Sequence, residues 1–356
     1  MNSSNRENDL NIVSFFAGCG GLDLGFTQAG FRTIWANEWD KEIWQTYESN
    51  HLNTFLDRRD IREIPSSEIP DCIGIVGGPP CQSWSEAGKQ KGIKDDRGRL
   101  FLEYIRILQD KQPLFFLAEN VSGMLHKKHD RALKNIVAAF EEAGYRVEYK
   151  LLDAVNFGVP QNRKRVIFVG FRQDLGQRFN FAAVRQQKAV NLKDAIWDLR
   201  ESALPAREKN KTNDACLVDN HEYAIGSFSS MYMSRNRVRS WDEPSFTIQA
   251  SSRHAPIHPR ANKMINVGRD KFIFDPNSPG SYHRLSVREC ARIQTFPDNF
   301  VYYYQNVNAG YKMIGNAVPV NFSQALATAI RKQLISPLKI DDRPVQLNLD
   351  FEITCN

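Results

Sequence analysis

The sequence predicts an α/β fold in which a mostly parallel, doubly wound sheet carries a smaller, irregular second domain. Three observations predict it. Short apolar runs alternate with amphipathic stretches from Ile12 to about Gly170, the rhythm of successive βα units. The first apolar run ends in a glycine cluster, Gly18-Cys19-Gly20-Gly21, which lets backbone approach a ligand closely where a strand becomes a helix. From Phe171 to about Arg284 the rhythm stops. That stretch is irregular, polar and arginine-rich, with prolines at 205, 244, 256, 259, 276 and 279.

The elements follow in order. Ile12 to Phe16 reads as a strand, Leu22 to Gly30 as a helix, Thr33 to Ala36 as a second strand and Ile43 to Tyr47 as helical. Ile73 to Val76 is a strand that stops at Gly77-Gly78-Pro79-Pro80. Apolar residues at 101, 102, 105 and 108 have helical spacing. Leu114 to Ala118 is a continuous apolar run between Pro113 and Glu119-Asn120, the pattern of a buried strand. Ala132 to Ala143 is a helix ending at Gly144, and Val147 to Leu152 and Val166 to Val169 are further strands. Helical patterns return at Ser286 to Gln294 and Phe322 to Leu334.

The 356 residues suffice for two domains or one large domain with an insertion. No stretch approaches the roughly 20 apolar residues of a membrane helix. The polar start, Met1 to Asn11, does not read as a signal peptide. Six scattered cysteines without a Cys-x-x-Cys pair suggest neither zinc nor a disulfide framework, and a reduced, cytoplasmic protein is expected. A net charge of +6 permits a nucleic-acid partner without requiring one.

Chemistry-bearing residues gather at strand ends. Glu38 ends the second strand, twenty residues after Gly18, where a carboxylate accepts hydrogen bonds from ribose hydroxyls. Asp60 follows the third strand region and could bind an adenine amino group. The same pattern fits a tight turn with a solvated glutamate, and it does not separate NAD from S-adenosylmethionine. Cys81 follows two prolines that fix the backbone ahead of its thiol. Cys19, Cys72, Cys216, Cys290 and Cys355 read as structural thiols. Glu119 stands at the mouth of a buried strand, where a carboxylate is costly to desolvate; a capping or salt-bridged role is the alternative. Arg163 and Arg165 alternate before the strand Val166 to Val169 and share a face if that segment is extended.

Taken together these segments resemble the cytosine-5 DNA methyltransferase family, in the family's order and over nearly the whole chain. Phe16-Ala17-Gly18-Cys19-Gly20-Gly21 resembles the first motif, Gly78-Pro79-Pro80-Cys81 the nucleophile motif and Glu119-Asn120-Val121 the acid motif. Gln161-Asn162-Arg163-Lys164-Arg165 is similar to the Gln-x-Arg-x-Arg motif, Arg288-Glu289 to a late structural motif, and Gly315-Asn316-Ala317-Val318-Pro319 to the last cofactor motif. Ser14 is a departure, since many members carry Asp there.

The resemblance implies a Rossmann-like S-adenosylmethionine-dependent methyltransferase domain with a target-recognition domain, acting on double-stranded DNA without a metal. Cys81 would attack C6 of cytosine, Glu119 would protonate or hydrogen-bond N3, Arg165 would bind O2, and Arg163 would support the Cys and Glu side chains. Phe16, Ala17, Gly18, Gly20, Glu38, Trp39, Asp60, Pro80, Leu100, Asn316 and Ala317 would contact the cofactor. Ser83 to Arg99 would form a lid over a flipped base, with Ser85 touching DNA. The expected domains are 1–182 plus 304–340 for catalysis, 183–303 for recognition, and a tail at 341–356.

The stretch from His221 through His258, with Ser234-Arg235-Asn236-Arg237-Val238-Arg239, Trp241 and Arg253, is similar to GGCC-specific bacterial members of type II restriction–modification systems. Arginine forks guanine O6 and N7 in the major groove, so Arg235, Arg237 and Arg253 are the expected base readers. A monomer paired functionally with a restriction endonuclease is the corresponding expectation. A transfer-RNA methyltransferase of the same family, a non-catalytic DNA-binding regulator and a nicotinamide-dependent oxidoreductase are the competing readings. The last does not explain Pro-Pro-Cys, Glu-Asn-Val and Gln-x-Arg-x-Arg together.

Overall fold

A computed structural model describes residues 10–80, 96–278 and 282–335. In chain order the first region contains β1 (Asn11–Phe15), α1 (Gly21–Gln28), β2 (Arg32–Asn37), α2 (Trp44–Asn50), β3 (Phe55–Asp57), β4 (Gly74–Gly77), α3 (Asp96–Lys111), β5 (Phe115–Val121), α4 (Asp130–Glu142), β6 (Tyr145–Asp153) and β7 (Lys164–Arg172). Later helices are α5 (Leu192–Ile196), α6 (Val287–Ile293), α7 (Val307–Asn316) and α8 (Val320–Ile335).

The seven strands form one sheet in the order β3-β2-β1-β4-β5-β7-β6. β1 to β5 are parallel, and β7 runs antiparallel to both β5 and β6. The sheet is therefore mostly parallel, as the sequence predicts, with one reversed strand. Strand order reverses between β1 and β4, the switch point outside which open α/β sheets bind ligands.

Both faces of the sheet are apolar because alternate residues of each strand point to opposite sides. Val13, Phe15, Ile75 and Phe116 pack under α3 and α4, against Tyr104, Leu108, Ile136 and Phe140. Ile12, Val76, Phe115 and Leu117 pack on the other side against Phe26 of α1 and Phe322, Leu326 and Ile330 of α8. The last helix thus closes on the first. Ser323 Oγ donates to Leu22 O at 2.6 Å, and a Cβ at Gly25 would lie 2.4 Å from Ser323 Cβ.

A third core joins α5, α6 and α7 to Cys19 and Ile43 of the first region. A small fourth core of Tyr232, Val238, Ile257, Ala261 and Met264 supports the arginine-rich segment. α6 starts with a capping box, in which Ser286 and Glu289 exchange side-chain and backbone hydrogen bonds.

Several boundaries differ from the sequence reading. α3 starts at Asp96, so Asp96 to Arg99 belong to a helix and not to a lid; residues 83–95 of that expected lid lie outside the described residues. Phe16 leaves β1 with φ of 54°. α5 and α7 were legible only as polar sequence and as a cofactor motif. Among the described residues no helix is long and apolar enough to cross a membrane. The tail 341–356 lies outside the described residues.

Candidate active site

The turn after β1 has two distinct sides. Gly18 and Gly20 have φ of 57° and 86°, in the left-handed region that favours glycine. A Cβ on Gly20 would lie 2.0 Å from His51 Nε2, whereas a Cβ on Gly18 would meet nothing within 4 Å. The inner side is backed by protein and the outer side is open.

Glu38, at the end of β2, edges this opening. Its Oε2 accepts from Gly18 N at 2.9 Å and its Oε1 from Asp40 N at 2.9 Å. A carboxylate has about four lone-pair sites, so acceptor capacity remains. Burial raises the Glu38 carboxyl above its ordinary value, against the pull of the Asp40 and Gly18 amides. Trp39 beside it is 67% exposed. Phe16 and Leu100 pack at the margin of the first core. The opening above Gly18, the residual acceptor capacity of Glu38 and the neighbouring aromatic rings fit an adenosyl cofactor. Asp60 is more engaged than the sequence suggests. It caps a short 3-10 turn, and its two oxygens accept from Arg62 Nε at 2.9 Å and Nη2 at 2.5 Å.

The reactive edge is built by β4, β5 and β7. In the β5–β7 ladder Arg165 lies opposite Val121, so it is the diagonal neighbour of Glu119 on the same face. Arg165 Nε meets Glu119 Oε1 at 2.6 Å, with both side chains 13% exposed. The β4 turn runs past this pair. A Cβ on Gly78 would lie 3.5 Å from Glu119 Oε2, and Asn120 Nδ2 donates to Pro79 O at 2.9 Å. This ties the backbone leading to position 81 to the Glu119 strand. Cys81 and Ser85 lie outside the described residues. Burial pushes the thiols of Cys19 and Cys72 up to about 12 and that of Cys216 up to about 11, and raises Cys290 well above its ordinary value. None of these is a thiolate near neutral pH.

Among the described residues the hydrogen bonds of Arg163 reach main-chain carbonyls, and its link to Glu119 is electrostatic; the expected support of Cys81 falls outside the described residues. Arg163 is 1% exposed. Nη1 donates to Ile248 O at 2.9 Å, and Nη2 donates to Gly315 O at 2.8 Å and Ala317 O at 2.9 Å. Burial, and then the nearby Arg165 charge, hold its pKa well below the usual range, and Glu119 opposes them. Gln161, which sequence reasoning quoted only as part of a motif, completes the clamp. Its Oε1 accepts from Ile248 N at 2.8 Å, and its Nε2 donates to Gln294 Oε1 at 2.9 Å. Gln294 Nε2 in turn donates to Ile314 O at 2.8 Å. The segment carrying Asn316 and Ala317 is therefore fixed to the approach of β7 and to the arginine-rich region at once. Asn316 is exposed and Ala317 buried.

The three expected base readers differ in their freedom. Arg235 and Arg253 are exposed. Arg237 is half-buried and braces its own loop. Its Nε donates to Tyr232 O at 2.7 Å, Nη2 donates to Met231 O at 3.1 Å, and the guanidinium sits 4.7 Å from the Tyr232 ring centroid. Arg253 lines a cleft of about 380 Å³ with Ser251, Asn308, Lys312 and Glu42. Lys312, which the sequence reading missed, joins Asp40 at 2.6 Å and Glu42 at 3.1 Å. The cleft thus connects the Arg253 loop to the edge carrying Glu38. Arg288 is fully buried and holds Asp219 O at 2.9 Å, and Glu289 faces His258 at 3.2 Å inside the same region.

A family model described as C-5 cytosine-specific DNA methylase matches residues 10–332. The chain is 54% identical over 334 residues to the type II methyltransferase M.FnuDI of Fusobacterium nucleatum, covering 93% of this chain and 97% of that one. It is 57% identical over 327 residues to the type II methyltransferase M.MthTI of Methanothermobacter thermautotrophicus, covering 92% and 98%. Among solved structures, the Entamoeba histolytica methyltransferase EhMeth shares the fold with a TM-score of 0.65 at 18% identity, over 92% of this chain and 99% of that one. The S. pombe Dnmt2 methyltransferase does so with a TM-score of 0.60 at 18% identity, over 91% and 99%.

Proposed function

The chain belongs to the C-5 cytosine-specific DNA methylase family, and we propose that it methylates the inner cytosine of 5′-GGCC-3′ in duplex DNA, with Cys81 as the nucleophile. As a cytosine-5 DNA methyltransferase of the type II restriction–modification kind it uses S-adenosylmethionine. The observation that carries the mechanistic reading is the 2.6 Å pair of Glu119 and Arg165 beside the Pro79-Pro80 turn.

Cys81, as thiolate, adds to C6 of the ring and pushes electron density to C5. Glu119 protonates or hydrogen-bonds N3, and Arg165 holds O2, so the charge that develops on the ring meets groups already in position. S-adenosylmethionine, when bound, supplies the electrophilic methyl group for C5. Loss of the C5 proton to solvent, with any proton on N3 returning to Glu119, then restores the ring double bond and expels Cys81 as thiolate. The ring must leave the duplex for this, because its atoms are inaccessible within the stack. Glu38 would hold the ribose, with Phe16, Trp39, Asp60, Leu100, Asn316 and Ala317 around the cofactor.

Arg235 and Arg253, exposed among the described residues, are suited to guanine edges, and Arg237 would join them by giving up contacts within its loop. Resemblance to GGCC-specific members supports that target. A monomer in the cytoplasm, protecting DNA from a paired endonuclease, is the corresponding biological role. Incubation with S-adenosylmethionine and duplex GGCC carrying 5-fluorocytosine at the inner position tests the chemistry. Fluorine cannot leave as a cation, so a Cys81–DNA adduct accumulates. Absence of an adduct with protein that methylates ordinary DNA would overturn the mechanism. Bisulfite sequencing of plasmid from an expressing host tests the site, and methylation confined to another sequence would overturn GGCC.

A further inference from the structure

The inner side of the Gly18–Gly20 turn rests on a buried polar network that the reaction does not use. Asp23, in the first turn of α1, is fully buried. Its Oδ1 accepts from Ser14 Oγ at 2.6 Å and its Oδ2 from Tyr47 OH at 2.6 Å. Ser14 and Tyr47 are themselves fully buried. The His51 ring stacks on Tyr47 with centroids 4.4 Å apart and places Nε2 3.4 Å from Cys19 O. The same nitrogen occupies the space that a Cβ on Gly20 would need.

A carboxylate in such a place is costly unless its charge is used and its lone pairs are met. Asp23 has two hydroxyl donors and a helix N-terminus, which favours negative charge. Burial nevertheless raises its carboxyl above the ordinary value, against His51, Ser14 and Tyr47. A core that needed only packing would fill this space with apolar side chains at lower cost. The network instead spans β1, α1, α2 and the turn itself, and its far end touches Cys19 and Gly20. Those two residues directly follow the one glycine of the turn whose outer side is open.

We propose that Asp23 is a positioning residue for S-adenosylmethionine: through Ser14, Tyr47 and His51 it fixes the Gly18–Gly20 turn in the shape that the cofactor meets. The carboxylate acts from behind the turn and touches no reacting atom. It also accounts for Ser14, where the resemblance leads one to expect an acid. The acid stands at Asp23 on the neighbouring helix, and the position-14 hydroxyl donates to it.

The test is calorimetric titration of S-adenosylhomocysteine into the full-length D23N, Y47F and S14A proteins. Duplex DNA affinity without cofactor and the thermal midpoint are measured in parallel. D23N weakens S-adenosylhomocysteine by about tenfold or more, the scale of one charge-assisted hydrogen bond. Y47F and S14A weaken it by smaller factors, while DNA affinity stays within about twofold. KM for S-adenosylmethionine rises in the same order, with kcat at saturation little changed. Wild-type S-adenosylhomocysteine affinity in Y47F and S14A overturns the proposal even if D23N does not fold. So does parallel loss of cofactor affinity, DNA affinity and thermal midpoint, which marks a purely structural pin.

Discussion

Arg165 and Glu119 meet at 2.6 Å because an antiparallel ladder makes them diagonal neighbours on one face of the sheet. The reversal of β7 is what brings this about. In a wholly parallel sheet the start of β7 would lie at the opposite edge from the end of β5.

Replacing Glu119 by Gln keeps the shape and removes the acid. E119Q lowers the single-turnover methylation rate by about 10²-fold or more, with an unchanged far-ultraviolet spectrum and unchanged DNA binding. A rate within a few-fold of wild type would remove Glu119 from the chemistry.

Arg163 serves as a buried fastener for three carbonyls from two distant segments. R163A leaves those neutral acceptors unmet and lowers the unfolding free energy by about 1–3 kcal/mol or more, the range for a buried polar group left without its partner. Urea denaturation measures this, and a loss under about 1 kcal/mol would mean that the carbonyls find other donors.

The recognition arginines should divide into two kinds. R235A and R253A each relax discrimination at one base position by about 1–3 kcal/mol, read by methylation across a library of single-base variants of the site. R237A, which also removes the brace on Met231 and Tyr232, relaxes its own base position and in addition lowers methylation over all variants. An even loss for R253A would identify a phosphate contact instead.

Stability should fall in two stages as the solution is acidified. Burial lowers His221 and His283 below their ordinary 6.5. Burial raises Glu289, but the hydrogen bond and charge of His258 outweigh it and leave the group below 4.5. All three folded values are depressed, so each contributes stability that is present above its unfolded value and is lost as pH falls toward its folded value. Denaturant midpoints should therefore decline below about pH 6.5 and again below about pH 4.5. H221Q flattens the first decline and E289Q the second. Unchanged slopes would show that these groups titrate alike in folded and unfolded chains.

Much of this architecture is legible locally. The strands ending at Phe15, Gly77 and Val121 announce themselves by apolar runs that stop at glycine, proline or a carboxylate, and Glu119 stands out for that reason. The partners of Arg163 do not, since Ile248 and Gly315 lie 85 and 152 residues away and offer only main-chain oxygens, which every residue has. The brace made by Arg237 is hidden for a related reason: an arginine in a basic run reads as unengaged until the carbonyls of its own loop are seen around it. Asp23 sits among Gly21-Leu22 and Leu24-Gly25, where one acid looks like a solvated helix face, and only the fold brings Ser14 and Tyr47 to it.

The hydrogen bond between Ser323 and Leu22 spans 301 residues of chain. A ribosome adding about 5–20 residues per second therefore releases α1 some 15–60 s before α8 arrives to cover it. Through that interval the side of α1 at Leu22 and Gly25 lacks the cover that Ser323 and the rest of α8 later provide. A truncated translation product that ends before α8 carries the acid, the arginines and the glycine turn, yet lacks the wall that holds them in register. Folding of the first helix onto its full set of neighbours therefore waits for almost the whole chain.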